Sequence, residues 1–112
     1  MPIEINFDDL FQQLKDGITG LAKSTVKKYV NEAKDDGKSL LESMKDKLQR
    51  WTKLLINGDL TTSDFEWLVN SQKDLVQMTA LKQAGLAAIR IDQFKNSVLN
   101  LVVDTIFSAI KI

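Results

Sequence analysis

Two adjacent carboxylate pairs, Asp8–Asp9 and Asp35–Asp36, and one acidic turn, Asp59-x-Thr61-x-x-Asp64, are the groupings in this sequence whose residue types could do chemistry. Paired carboxylates can share a proton for general acid–base work or hold a hard cation such as magnesium or calcium. Both uses need the oxygens to converge. Neighbouring helical residues point about 100° apart, so neither doublet converges on one proton or ion, and capping or a solvated face fits better. The Asp59 turn lacks the alternating ligands and closing glutamate of an EF-hand loop, which leaves helix capping. The 112 residues include no cysteine and no histidine, which removes zinc fingers, thiolate nucleophiles, iron–sulfur clusters, disulfides and imidazole bases. No glycine-rich phosphate loop is present, and no serine has an imidazole to activate it. The expectation is a non-enzyme with no catalytic, metal or cofactor-binding residues, no cofactor and no small-molecule substrate.

The charge balance narrows the partners. Fifteen basic residues meet fifteen acidic ones, so the net charge supplies no reason to expect nucleic acid. The basic residues are nevertheless uneven: Lys15 to Lys53 holds ten of them against six acids. Together with an amphipathic period this is similar in pattern to apolipoprotein-like helices that lie on lipid, although a solvated outer face of a bundle helix explains it more simply. Met1–Asn6 carries no basic n-region or apolar h-region, so no signal peptide is expected. No apolar run reaches the roughly 18 residues of a spanning helix. A cytoplasmic, single-domain protein covering residues 1–112 is the reading that follows.

The elements that would position these residues are helical. The only proline is Pro2, so nothing forces a break further along. Asn6 is a good N-cap, with Asp8 and Asp9 placed to complement the positive helix end. From Phe7 an apolar series runs through Phe11, Leu14, Ile18, Ala22, Val26, Tyr29, Ala33, Gly37, Leu40, Met44, Leu48, Trp51 and Leu55, with every step three or four residues. Several members recur every eleven residues, a period of about 3.67 per turn, close to a straight helix. Gly17 and Gly20 invite a bend, and Ser39-x-x-Glu42 could open a new helix, but the apolar phase is kept across Asp35–Ser39 and favours continuity there.

The firm break is Asn57–Thr62. Gly58 suits a left-handed C-cap after Ile56, and Ser63-x-x-Glu66 reads as a capping box. Beyond it, Phe65, Val69, Val76, Ala80, Ala84, Ala87, Ile91, Phe94 and Val98 continue one face through Gly85. The stretch 54–75 resembles the short helical hairpin of the SHOCT (short C-terminal domain) type, on Gly58, Leu60, Thr61, Asp64, Phe65 and Glu66. The basic residues that follow in that motif are replaced here by Trp67, Leu68 and Val69. The resemblance covers under a fifth of the chain and implies assembly or docking.

The architecture expected is all-α: a long antiparallel helical hairpin with arms at about 7–56 and 63–111 and a turn at 57–62. Residue i then lies opposite roughly 119 − i, and each arm is about 75 Å long at about 1.5 Å per residue. That register pairs Trp51 with Leu68, Ile18 with Leu101, and Ala33 and Gly37 with Gln83–Leu86. The last fifteen residues are apolar over too wide a face for one partner helix. Either the arms bend at Gly17/Gly20 and near Gly85 into a three- or four-helix bundle, or two hairpins pair, in coiled-coil fashion, as a dimer. The expected association surface is Leu99, Val102, Val103, Ile106, Phe107 and Ile110. Asp104, with Asn100 beside it, marks either a narrow wet side of that helix or a buried polar residue setting register. The function implied is a helical assembly or adaptor module that self-associates or binds another helical protein. The second reading is binding of lipid surfaces or a hydrophobic ligand by the amphipathic helices.

Overall fold

Asn6 opens the first helix as its side chain demands: its Oδ1 accepts the backbone N–H groups of Asp8 at 3.0 Å and Asp9 at 3.2 Å. The computed structural model describes residues 6–110. Over these it consists of α1 (Phe7–Thr25), α2 (Val30–Ser43), α3 (Lys45–Ile56), α4 (Thr62–Asn70), α5 (Thr79–Gln83) and α6 (Ala88–Ile110). Short 3-10 turns follow α1 at Lys27–Tyr29 and α4 at Ser71–Asp74. The protein is all-α, with no strand among the described residues.

Four segments, α1, α2–α3, α4–α5 and α6, run alternately up and down. Lys15 meets Glu42, and Gly37 lies against Ile18, so α1 and α2 are antiparallel. Gly17 lies against Leu101, and Arg90 reaches Thr25, so α1 and α6 are antiparallel as well. Asp36 bonds to Ala80 and Leu81, and Lys47 to Gln72, which sets the α2–α3 segment antiparallel to the α4–α5 segment. The contacts Lys47–Gln72, Asp36–Leu81 and Gly17–Leu101 fall on or near the 119 − i register, while Lys15–Glu42 and Gly37–Ile18 belong to a second folding-over. The molecule measures 49 × 23 × 19 Å with a radius of gyration of 14.2 Å, well short of a 75 Å rod.

The expected long arms are therefore interrupted, and not where glycine suggested. Helix α1 runs straight through Gly17 and Gly20 and ends at Val26, whose φ is −132° and ψ 59°. Ser24, Thr25 and Val26 are weak helix formers. The Ser24 and Thr25 hydroxyls both donate to the Leu21 carbonyl, at 3.1 and 2.7 Å, competing with the helical ladder. Helix α2 crosses Asp35–Ser39 unbroken, as the apolar phase implied, and kinks only at Met44.

The second arm departs further from expectation. Beyond α4 it breaks between Leu75 and Met78, where Met78 sits buried in the left-handed region at φ 51°. It breaks again at Gly85, φ 95°, so the face does not pass through that glycine as a helix. Leu86 N–H donates to the Leu81 carbonyl and Gly85 N–H to that of Lys82, the paired bonds of a Schellman cap. Gly58, φ 81°, closes α3 in the same way, with Asp59 N–H on Leu54 and Gly58 N–H on Leu55. Helix α4 starts two residues earlier than the Ser63 box: Thr61 is the N-cap, its Oγ1 accepting Asp64 N–H at 3.1 Å.

The wide apolar face of α6 is explained by its neighbours. It lies against α1, against α4 and, through Phe94, beside Gly37 of α2. Phe65 of α4 packs its ring 5.6 Å from that of Phe107. A helix with neighbours on three sides needs a wide stripe, and no second chain is required to cover it. Asp104 and Asn100 are exposed and form the wet side.

Candidate functional site

The expected association surface is core. Leu99, Val102 and Ile106 are fully buried within the single chain, Val103 and Ile110 nearly so, and Phe107 is half-buried against Phe65. Mutual burial of α1, α4 and α6 consumes this face, so it does not stand free for a partner. The same holds for the amphipathic stripe of α1 to α3: Phe11, Leu14, Ile18, Leu40, Met44 and Leu48 point inward. Lipid could reach them only if the fold opened.

Of the paired and turn carboxylates, only Asp36 is built into the fold through its side chain. Asp8 and Asp9 lie exposed in the first turn of α1. Asp59 and Asp64 are exposed, and it is the backbone N–H of Asp64 that donates to Thr61 Oγ1 at the start of α4. Asp35 faces solvent, whereas its neighbour Asp36 is buried. Asp36 Oδ1 accepts Ala80 N–H at 3.1 Å and Oδ2 accepts Leu81 N–H at 2.7 Å. It is the N-terminal cap of α5, delivered from another helix. Helix α5 has no side-chain cap of its own, because Met78 stands at that position. Among the described residues no group of three or more carboxylates converges on a cation position. The cap was not legible locally; the one hint was an acidic residue beside Gly37 on the buried stripe.

One ion pair ties α1 to α2. Lys15 Nζ lies 2.9 Å from Glu42 Oε1. The bonded Lys15 ammonium holds the Glu42 carboxyl below the usual glutamate range, with a smaller contribution from the charge of Lys45. Both lysines also sit over the buried Phe11 ring, at 5.2 and 5.1 Å.

What remains outward-facing and unusual is apolar or basic. Trp67 is 70% exposed on α4, Ile89 is 68% exposed at the start of α6, and Leu75 is 48% exposed. Trp51, by contrast, is buried at 8%. At the end of the molecule where α1 turns into α2 and α5 into α6, Lys27, Lys28, Tyr29 and Arg90 border one depression of about 220 Å³. There Arg90 Nη2 donates to the Thr25 carbonyl at 3.0 Å, capping the C-terminus of α1 from a neighbouring helix. Among the described residues no helix is long and apolar enough to cross a membrane. Comparison with family models, curated proteins and solved structures finds no match.

Proposed function

We propose that this chain is a non-catalytic helical assembly or adaptor module, cytoplasmic, that binds a second copy or another helical protein. The observation that carries this reading is Trp67. A tryptophan 70% exposed on a well-capped helix leaves a large apolar surface in water, and tryptophan is enriched among the residues that anchor protein interfaces. Trp67 lies in the 54–75 stretch whose resemblance to SHOCT hairpins implies docking, at a position where that motif carries a basic residue. The interface thus moves from the buried face of α6 to the outer side of α4.

Light scattering across a concentration series tests it, with Trp51→Phe leaving Trp67 as the sole tryptophan. Association should shift the Trp67 emission to the blue as molar mass rises, and Trp67→Ala should return the protein to monomer with its helix content intact. A monomer at every concentration, with Trp67 emission unchanged, would remove self-association.

A further inference from the structure

A net charge of zero conceals a polarised molecule. Residues 17–31 and 75–91 contain Lys23, Lys27, Lys28, Lys82 and Arg90 and no acidic residue, with Glu32 and Asp92 the first acids beyond them. The antiparallel packing brings these two segments to one end, where α1 turns into α2 and α5 into α6. All five basic side chains are exposed, and none enters an ion pair among the described residues. Asp8, Asp9, Asp59, Asp64 and Glu66 outnumber Arg50 and Lys53 on segments at the opposite end of a molecule 49 Å long. Screening acts over about 10 Å at 0.1 M salt, so the acidic end cannot cancel the field of the basic end at a surface it touches.

The basic end also carries an apolar point. Ile89 is 68% exposed beside Arg90, in the first turn of α6, which has no acidic residue. Half-buried Tyr29 borders the same depression as Lys27, Lys28 and Arg90. Basic residues around an exposed isoleucine, with a tyrosine between, match the layered chemistry of a bilayer surface: phosphate outside, glycerol and aromatic belt below, acyl chain beneath. A nucleic acid would reward the charge but not the isoleucine.

We propose that this end docks on anionic phospholipid bilayers, with Lys23, Lys27, Lys28, Lys82 and Arg90 against headgroup phosphates and Ile89 seated among the upper acyl carbons. The molecule stands end-on and keeps its core closed. This differs from amphipathic helices lying flat, and it is independent of the Trp67 surface.

Flotation of the full chain with phosphatidylcholine vesicles containing about one-third phosphatidylserine tests it. The protein should float with these vesicles and stay in the buffer with pure phosphatidylcholine. Each basic residue is worth about fivefold in partitioning, so Lys27→Ala/Lys28→Ala should weaken binding about 25-fold. Ile89→Ser should weaken it about tenfold at unchanged salt dependence. All three positions are exposed, so circular dichroism should show the fold retained; Lys23→Ala/Lys82→Ala, on different elements, gives the same reading should the first pair unfold. Raising salt from about 0.1 M to about 1 M should release the wild type. No flotation with the anionic vesicles, equal flotation with neutral ones, or an Ile89→Ser variant that binds like wild type would overturn the proposal. So would equally tight binding to a short DNA duplex, which would reassign the end to polyanions in general.

Discussion

Replacing Asp36 by alanine should destabilise the fold far more than its position in a charged, helical stretch suggests. The carboxylate is 6% exposed and accepts two backbone N–H groups, Leu81 at 2.7 Å and Ala80 at 3.1 Å. Hydrogen bonds to a charged group contribute about 1.5–3 kcal/mol each, and a lost N-cap about 1 kcal/mol. Two considerations lower the sum. Ala80 is only half-buried, so water can replace its bond, and alanine removes the cost of burying the charge. Leu81 is fully buried, so its N–H is left without water or a partner. A net loss of about 2–3 kcal/mol follows, or a fall in Tm of about 8–12 °C for a chain of this size. The loss should be visible in urea titrations followed by circular dichroism, and amide exchange in α5 should accelerate more than in α1. Asp36→Asn keeps one acceptor and should lose less. Asp35→Ala, one residue away on the exposed side, should stay within about 0.5 kcal/mol of wild type. An Asp36→Ala variant as stable as Asp35→Ala, or unchanged protection of α5, would refute the tertiary cap.

Two of the helical glycines, Gly20 and Gly37, should respond oppositely to alanine. At exposed Gly20 an added Cβ meets nothing within 4 Å, so Gly20→Ala should stabilise by about 1 kcal/mol in thermal melts. At Gly37 the Cβ would come within 2.6 Å of Cγ2 of buried, β-branched Ile18, so Gly37→Ala should destabilise by about 1–2 kcal/mol despite the gain in helix propensity. Val103→Asp places a carboxylate in the core and should abolish helical circular dichroism with a loss of about 4 kcal/mol or more; a folded protein that merely changes its molar mass would restore α6 as an association surface. Glu42 carries a lowered carboxyl pKa, so its contribution is present above the pKa of the unfolded chain and fades as pH falls through the folded value. Glu42→Gln should therefore lower Tm slightly at neutral pH, and the difference from wild type should vanish in acid.

Helical class and most buried positions were readable from spacing alone, since a period of three or four residues determines which side of a helix turns inward wherever the helix runs. The Asn6 cap and the Gly58 turn were readable too, because each satisfies its orphan backbone groups with neighbours in sequence. The turn at Val26–Tyr29, the buried cap from Asp36 and the fate of the α6 face were not. Folding double lets α6 bury its wide face within one chain, and the chain accepts a break at Val26 and a left-handed Met78 in return. The terms that decide this are burial and hydrogen bonds between residues 45 to 84 positions apart, such as Asp36 with Leu81, Gly37 with Phe94 and Gly17 with Leu101. The gathering of five basic residues at one end is of the same kind. Along the chain they lie in two separate segments of an electrically neutral sequence, and only antiparallel packing makes them one surface, because charge acts through distance in space and not through position in the chain.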